Sequence, residues 1–572
     1  MSNPSELIET TPHEIGAPGP VAQARAALAR LRAVRAFLAT PRGQLTLAWG
    51  FVLLGIVLLI SFGGQRALVR YQSYQASAFD LGNMDQAVWN TLHGHPFRFT
   101  NIGLDWNGPP TRLGIHVEPI LLLIAPLYLI HQGPETLIAL QSVSLALGAI
   151  PIFLLGLRRL PGHPLVAAVL AGAYLVTPAL LGSFFWDFHP VALAMPLLAL
   201  AIWALDARRY GWFVAAAVLA AMTKEDVALS LVPLGVALIL WRGKPRLGAG
   251  VVLASLAWVG FCFLIVLPHF SGGAQGGNNY WYRYAALGAT PGEAIVNVLT
   301  HPWILIGMAL GDPGKRTYLS MLLRMSGGLG IFAPALWICA LPELAINLLS
   351  AHMEQYSGFF QYNATIGAYL PAAAVYGVAA LYATRRDAPH AGLRGRVPAL
   401  AAWLPERVRA WWHAAGRGWL ALLGRIPVST GWLGPLVIGW LVVSTLWNLQ
   451  AIMPRLEPFW TAGARPVRYQ AQMDALLARV PANATVAASD TLNPHLSDRY
   501  TIYLVPDPRS WTAEYVAIDA PHADPDSEIA DRAMLSAMLA SGRYEQLGTA
   551  GEIVLLHRTG PPIIPPSYTS GG

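Results

Sequence analysis

The chain carries about eleven separate runs of apolar residues, each long enough, or nearly so, to cross the roughly 30 Å hydrocarbon core of a bilayer. A chain of 572 residues that is 55% hydrophobic and only 12% charged is too apolar for a soluble globule, in which about a quarter of the residues are charged. We therefore predict an all-α polytopic membrane bundle of about eleven transmembrane helices. The runs lie at 45–63, 136–157, 164–185, 190–206, 212–224, 227–241, 247–268, 317–332, 334–350, 366–384 and 428–449.

The basic residues predict how this bundle is oriented. Arginines precede the first run without an intervening acid, at Arg25, Arg30, Arg32, Arg35 and Arg42. The positive-inside rule then places the N-terminus in the cytoplasm, as in a multi-pass plasma-membrane protein. Later basic clusters, such as Arg158 with Arg159, fall on the same side only if the run at 117–131 does not cross. We predict that this run is a helix at the outer leaflet.

The net charge of +7 is explained by this topology and not by nucleic-acid binding. The arginines lie in short loops between apolar runs, and they are not gathered into a basic domain with interleaved aromatic residues. We therefore predict no nucleic-acid partner. The two cysteines, Cys262 and Cys339, both lie in apolar stretches, so that neither a disulfide framework nor a cysteine metal site is expected.

The chain is predicted to have four parts. Residues 1–43 form a partly disordered cytoplasmic tail, and residues 44–450 form the transmembrane domain with a large first external loop at 64–135. Residues 451–558 form a small external or periplasmic α/β domain, because the strand-like segments ATVAAS, TIYLVP and EYVAID alternate with amphipathic helices. Residues 559–572 form a disordered tail. The internal stretch 385–425 mixes tryptophan, leucine and arginine and predicts an interfacial helix.

The first external loop concentrates ionisable side chains beside the membrane. Asp80 follows the first span closely, where a carboxylate could act as a general base on an acceptor hydroxyl or help to hold a divalent cation, Mg²⁺ or Mn²⁺, against a phosphate. Asp85, His116 and Glu118 follow in the same loop and are candidates for substrate contact. The alternatives are that Asp80 only caps the helix LGNMDQAVWNTLHG, and that His116 and Glu118 only mark the start of the surface helix.

A second group is Lys224, Glu225 and Asp226, which interrupt two apolar runs. Three charges at the boundary of a span are costly if they face lipid, so they indicate a substrate-binding function by default. The alternative is an ordinary polar turn in water.

A third group lies in the turn Trp186-Asp187-Phe188-His189-Pro190, which is predicted at the level of the first loop. Asp187 and His189 are candidates for substrate binding, and Asp80, Glu118 and His189 for a metal site, although no regular ligand spacing supports a metal. The alternative is a solvated turn. Arg283 lies in the aromatic loop GGNNYWYRYAALG at 276–288, which could stack on a sugar or a lipid or could be an interfacial aromatic belt.

Several segments in one order resemble an uncharacterised family of prokaryotic predicted membrane proteins. They include FDLGNMDQAVWNT, HVEPILLLIAPLYLI, FWDFHP, TKEDVAL and QYNATIGAYLPA, and the resemblance extends from about 45 to about 520. The layout is more distantly similar to the GT-C class of glycosyltransferases, which take a sugar from a polyprenyl-phosphate carrier on the external membrane face. In several GT-C families the acidic motif is a pair of adjacent carboxylates. Here Phe79-Asp80-Leu81 offers one, and Asp85 is the nearest second.

The GT-C resemblance implies a membrane glycosyltransferase with inverting hexosyl or pentosyl transfer. Its partners would be the lipid bilayer, a polyprenyl-phosphate-linked sugar and an acceptor, with Asp80 as base and Lys224 or Arg283 at the departing phosphate. The competing hypothesis is a non-catalytic transporter or lipid-binding scaffold, which predicts buried charges along a central path. In the sequence the charges instead cluster at one predicted membrane face, which favours an enzyme.

Overall fold

A computed structural model of the chain is a bundle of apolar helices with a small mixed sheet near the C-terminus. The structure describes residues 20–102, 108–272, 280–384, 418, 429–461, 467–519 and 525–562. Three predictions therefore lie wholly or mostly outside the described residues. They are disorder in the first part of the N-terminal tail, the interfacial helix at 385–425 and disorder in the C-terminal tail.

Within the described residues, five helices are long and apolar enough to cross a membrane, and the number is seven if each of two bent helix pairs is one span. The five lie at Pro41–Gln72, Pro134–Arg159, Pro245–Phe270, Gln361–Ala383 and Gly431–Glu457. The bent pairs are Pro164–Leu175 with Pro178–Phe185, at 45°, and Trp281–Thr300 with Trp303–Leu310, at 103°. Shorter apolar helices are Pro190–Asp206, Tyr210–Ala221, Val227–Leu240 and Pro334–Leu349. The membrane bundle is confirmed, but the count of eleven spans is not.

Two of the apolar runs do not form a single helix that could cross a membrane. The run at 317–332 is not one helix, because the helix Pro313–Arg324 ends and Ser326, Gly327 and Gly328 take φ values of 49°, 71° and 71°. Left-handed backbone of this kind interrupts an α-helix. The run at 117–131 contains only the short helical turns Leu121–Ile124 and Ala125–Leu129, which are too short to cross a bilayer.

Many of the helices begin at a proline, whose fixed φ and missing N–H suit the first helical turn. The α-helices are Pro20–Leu38, Pro41–Leu58, Gly64–Gln72, Asn83–Leu92, Leu121–Ile124, Pro134–Leu147, Ala149–Arg159, Pro164–Leu175, Pro178–Phe185, Ala194–Asp206, Tyr210–Ala221, Val232–Arg242, Pro245–Phe261, Leu267–Phe270, Pro291–Thr300, Trp303–Leu310, Pro313–Arg324, Trp337–Leu349, Ala364–Ala383, Thr430–Thr461, Val467–Leu477 and Pro525–Ala540. The helix Ala364–Ala383 is buried on nearly all sides and forms the centre of the bundle.

The two ends of the bundle differ in chemistry. At one end Arg158, Arg159, Arg242 and Tyr376 all donate hydrogen bonds to Asp206. This contact brings basic clusters that are far apart in sequence to one end, as the predicted topology requires. The helix Ala194–Asp206 has 13 residues, so it separates this Asp206 end by about 20 Å from the opposite, Asp80 end. Which end faces the cytoplasm stays a prediction from the positive-inside rule.

The C-terminal domain, which comprises the sheet and the helices Val467–Leu477 and Pro525–Ala540, lies at the Asp80 end. In the described part of the domain, the strands are β1 Val486–Ala488, β2 Ile502–Leu504, β3 Tyr515–Asp519, β4 Tyr544–Ala550 and β5 Ile553–Arg558. They form one sheet in the order β2-β1-β3-β5-β4. β1 pairs in parallel with β2 and β3, whereas β5 is antiparallel to β3 and β4. One helix packs on each face, and the prediction of a small sheet near the C-terminus is confirmed.

Candidate functional site

Asp80 lies in a helical turn, Ala78–Gly82, that leads into the helix Asn83–Leu92. Its Oδ2 accepts a hydrogen bond from Trp186 Nε1 at 3.0 Å, and its Oδ1 lies 3.1 Å from His189 Nε2. Ser77, not Asp80, caps the turn, because the Ser77 hydroxyl accepts from the Phe79 amide. The alternative in which Asp80 is only a helix cap is therefore wrong. The Asp80 side chain is 26% exposed, so a ligand can reach it.

The surroundings of His189 favour its protonated form. Its Nδ1 lies 2.9 Å from the carbonyl oxygen of Asp187, which can only accept, while its Nε2 faces the carboxylate of Asp80. Both ring nitrogens must therefore donate if both contacts are hydrogen bonds. Burial alone would lower the pKa of His189, but Asp80 raises it above its ordinary value. Burial alone would raise the pKa of Asp80, but the contact with His189 holds it below its ordinary value.

Asp187 joins the two segments that carry Asp80 and His189. Its carboxylate forms a buried ion pair with Arg70, and its Oδ2 accepts from the Ser77 amide at 2.8 Å. The Arg70 guanidinium also lies 4.7 Å from the centroid of the Trp186 ring. The turn that carries Asp187 is largely buried, and Asp187 is paired with Arg70. The interpretation as a solvated turn is therefore wrong. Sequence reasoning named Trp186 only as part of the turn and did not name Arg70, whose position near the end of a membrane helix was the one available signal.

The second group, Lys224 to Asp226, is also buried rather than solvated. Lys224 Nζ lies 2.7 Å from Asp226 Oδ2, and the two oxygens of Glu225 lie 3.0 Å from His116 Nδ1 and from the Val117 amide. Burial would raise the pKa of Glu225, but His116 and Lys224 lower it to about 2. The polar-turn alternative is wrong, because Glu225 and Asp226 are 2% and 6% exposed.

Two tyrosines link the first and second groups. Tyr362 lies near Arg283, Asp80 and Lys224, all of which act on its pKa, and Phe360, two residues earlier, packs on Trp186. Tyr280 stacks on His116 with ring centroids 5.4 Å apart, and the Arg283 guanidinium lies 4.3 Å from the Tyr280 ring centroid. The predicted site residues Asp80, His116, Lys224 and Arg283 are thus brought to one region at the Asp80 end. Neither Tyr280 nor Tyr362 was singled out individually from the sequence.

Two predicted site residues are placed elsewhere. Asp85 is fully buried, where its carboxylate accepts from Tyr128 Oη at 2.5 Å and from Ser497 Oγ at 2.6 Å. Glu118 is bound by the Arg112 guanidinium at 2.8 Å, and both side chains are almost inaccessible. The prediction that Asp85 and Glu118 contact substrate is therefore corrected, because each carboxylate is enclosed by its protein partners.

The residues proposed for a metal do not assemble. Glu118 is held by Arg112, so it does not join Asp80 and His189. In the part of the chain that the structure describes, no group of three or more His, Cys, Asp or Glu side chains could hold a metal ion. A cation shared between Asp80 and a substrate phosphate, which needs only one or two protein carboxylates, stays a prediction, and no chemical step is assigned to one.

An open apolar groove is lined by residues of several apolar helices, and two of its lining residues directly follow segments of the site in sequence. It has a volume of about 490 Å³, and its lining includes Ile120, Leu127, Leu193, Leu197 and Leu219. Leu193 ends the short helical turn that starts directly after His189, and Ile120 follows the segment that contacts Glu225. One end of the groove is therefore close to the polar residues.

The long apolar helices and this polar site at one end of the bundle define an integral membrane protein. Residues 70–394 and 425–555 match the family described as "Predicted membrane protein (DUF2079)". This match covers more than half of the chain, and the protein belongs to that family. No curated protein matches the sequence.

Two solved structures show distant likeness. ArnT from Cupriavidus metallidurans, bound to undecaprenyl phosphate, is 16% identical with a TM-score of 0.46, over 88% of this chain and 97% of that one. The Archaeoglobus fulgidus oligosaccharyltransferase, tethered with an acceptor peptide, is 13% identical with a TM-score of 0.36, over 88% of this chain and 73% of that one. Neither likeness is close enough to transfer a function, so function must be argued from the site.

Proposed function

We propose that this protein is a membrane glycosyltransferase that transfers a sugar from a polyprenyl-phosphate carrier to an acceptor hydroxyl at the Asp80 end. One observation carries the proposal. Asp80 is a partly exposed carboxylate, held in place by His189 and Trp186, and it lies at the end of a membrane bundle in the same region as Lys224 and Arg283. A base beside cations at the edge of a bilayer suits a lipid-linked phosphate donor.

In the proposed reaction an acceptor hydroxyl attacks the anomeric carbon of the sugar. The new C–O bond forms as the bond between the anomeric carbon and the phosphate oxygen breaks, so the polyprenyl phosphate leaves with the bonding electrons. The hydroxyl proton passes to Asp80. Since the pKa of Asp80 is lowered, Asp80 is ionised but only weakly basic, and we expect the proton to move late, when the attacking hydroxyl has become acidic.

Arg283 is the better candidate for binding the phosphate. Its guanidinium is surrounded by Tyr280, Tyr282 and Tyr362, and no carboxylate in the described part of the chain forms an ion pair with it. Its charge therefore is not already neutralised by a protein carboxylate. Lys224 is paired with Asp226, so we propose that it contributes a weaker field to the same region. Positive charge at this position would stabilise the departing phosphate.

The apolar groove supports a lipid-linked donor. Its lining is almost entirely aliphatic, and two of its lining residues, Leu193 and Ile120, follow His189 and the segment that contacts Glu225 within a few residues. A polyprenyl chain bound there would leave its phosphate near the polar residues. Burial of apolar surface contributes roughly 25 cal/mol per Å², so a long chain would supply much of the binding energy.

The experiment uses the purified protein in proteoliposomes with a panel of polyprenyl-phosphate-linked hexoses and pentoses. A prokaryotic membrane extract serves as the acceptor pool, and mass spectrometry measures free polyprenyl phosphate. We expect protein-dependent release of polyprenyl phosphate from at least one donor, with the sugar recovered on an acceptor. The transporter alternative predicts that intact donor crosses the bilayer without release, and that result across the panel would refute the proposal.

A further inference from the structure

The parallel part of the C-terminal sheet has an edge of the kind at which ligands usually bind. The chain leaves β1 for β2 on one side and later returns to β3 on the other side, so β1 lies at a switch point in the strand order. In open α/β sheets, ligands bind outside the carboxyl ends of the strands at such points. Asp490 lies at this edge, two residues after the end of β1.

A segment of the same chain occupies this edge. Asp490 Oδ1 accepts from the Ala78 amide at 2.8 Å and from Ser77 Oγ at 3.1 Å. The Asn101 side chain donates both to the Ala78 carbonyl at 3.2 Å and to Asn493 Oδ1 at 2.8 Å. The contact is close, because a Cβ atom on Gly82 would lie only 2.7 Å from Asn493 Oδ1. The turn that carries Asp80 is therefore packed against the strand ends.

We propose that the C-terminal domain positions Asp80 and that Asp490 is the positioning residue. The first amides of a helical segment have no partner within that segment, so another group must satisfy them. Here the Ser77 amide donates to Asp187 and the Ala78 amide donates to Asp490, which is 412 residues away in sequence. Two carboxylates from separate parts of the chain thus hold successive amides at the start of the Asp80 turn.

Other contacts fix the domain on the same segment. His495 is sandwiched between Tyr71 and Tyr74, with ring centroids 4.3 Å and 3.9 Å apart. Thr100 both donates to the Ile502 carbonyl and accepts from the Ile502 amide, at 2.7 Å and 2.9 Å. On the loop these contacts lie on both sides of the Asp80 turn in sequence, at Tyr71 and Tyr74 before it and at Thr100 after it. They limit the relative movement of the domain and the loop, which a positioning contact requires.

Asp490 acts on Asp80 through the backbone of the turn. Asp490 does not contact the Asp80 carboxylate; it holds the backbone two residues before it. Loss of this hydrogen bond would let the turn open and would weaken the contacts of Asp80 with Trp186 and His189. Asn at position 490 retains an oxygen that can accept the same two hydrogen bonds, so Asp490→Asn should preserve the turn, whereas Asp490→Ala should not.

The test is hydrogen–deuterium exchange of the full-length protein in nanodiscs, read on peptides that cover residues 76–84. The loss of one hydrogen bond to a backbone amide is worth enough that we expect Asp490→Ala to speed exchange at Ala78 by roughly 10-fold. Asp490→Asn should exchange close to the wild-type rate. Tyr74→Phe is the matched control, because it removes the 2.6 Å hydrogen bond to Asp474 in the same interface without touching the turn.

Peptides from β1 and β3 report whether the domain stays folded in each variant. The proposal is overturned if Asp490→Ala leaves exchange at 76–84 unchanged, or if Asp490→Asn opens the turn as much as Asp490→Ala does. Exchange needs no substrate, so this result is independent of the glycosyltransferase proposal. If the wild-type protein is active, we further expect Asp490→Ala to lower kcat more than it changes KM, and Asp490→Asn to restore kcat.

Discussion

Arg70→Met should be among the most destabilising single substitutions at the Asp80 end. Arg70 and Asp187 form an ion pair in which the side chains are 9% and 2% exposed. Removal of one partner leaves a buried charge without compensation, which costs about 3–5 kcal/mol. The loss should be visible as a lower free energy of unfolding, measured by equilibrium denaturation in mixed micelles, and it should also loosen the Ser77 amide that Asp187 holds.

Arg66→Met is the matched control, because Arg66 lies one turn earlier on the same helix, is only partly buried and contacts the Phe62 ring. We expect it to cost less than about 1 kcal/mol, because Arg66 forms no ion pair in the described part of the chain and its loss leaves no buried charge without a partner. The double variant Arg70→Met with Asp187→Asn removes both charges, and it should be more stable than Arg70→Met alone. If Arg70→Met costs no more than Arg66→Met, or if the double variant is no better, the ion pair does not stabilise the site as argued.

Three further predictions follow from the electrostatics. The pKa of His189 is raised in the folded protein, so the Asp80–His189 pair should stabilise the fold fully below about pH 6.5, the ordinary pKa of histidine. The stabilisation should be lost as the pH rises through the raised pKa of the folded state. Measured as Tm against pH, this fall should be absent in His189→Gln. Burial raises the pKa of Asp498 from 3.8 to about 6, so ionisation of this carboxyl destabilises the fold once the pH exceeds about 6. In chemical denaturation, Asp498→Asn should therefore raise the free energy of unfolding by about 1–3 kcal/mol at pH 8 but not at pH 4. Arg283→Met should weaken binding of undecaprenyl phosphate, but not of undecaprenol, by roughly 10-fold in a binding assay, and the exposed control Arg316→Met should weaken neither; equal loss for both lipids would exclude the phosphate contact.

The sequence was a good guide to the membrane bundle and a poor guide to the number of spans. Apolar runs identify helices because lipid excludes unpaired backbone groups, but they do not show where a helix stops inside the bundle. The helix in the run at 317–332 ends at Arg324, before three residues at 326–328 whose positive φ is a feature of the backbone that hydropathy does not reveal. The run at 117–131 was correctly kept out of the span count, because the arginine pattern constrained it.

Sequence reasoning placed Asp187 and His189 at the level of Asp80, and the structure brings these three residues together. It failed for Asp85, because the Ser497 hydroxyl that encloses this carboxylate is 412 residues away. It also missed Asp490, whose importance depends on an equally distant contact. Composition and spacing describe what a segment carries, but the partner of a buried charge is decided by packing between segments.

The most direct test of the proposed chemistry is the rate of polyprenyl phosphate release by Asp80→Asn, compared with wild type and with Glu293→Gln. Glu293 is an exposed carboxylate in the first turn of the helix Pro291–Thr300, where it accepts from the Ala289 amide, and its substitution makes the same change from carboxylate to amide. Loss of a general base typically costs about 10²- to 10⁴-fold in rate, and we expect Asp80→Asn to lose at least 100-fold while Glu293→Gln stays near wild type. Full activity of a folded Asp80→Asn protein would contradict the assignment of Asp80 as the base.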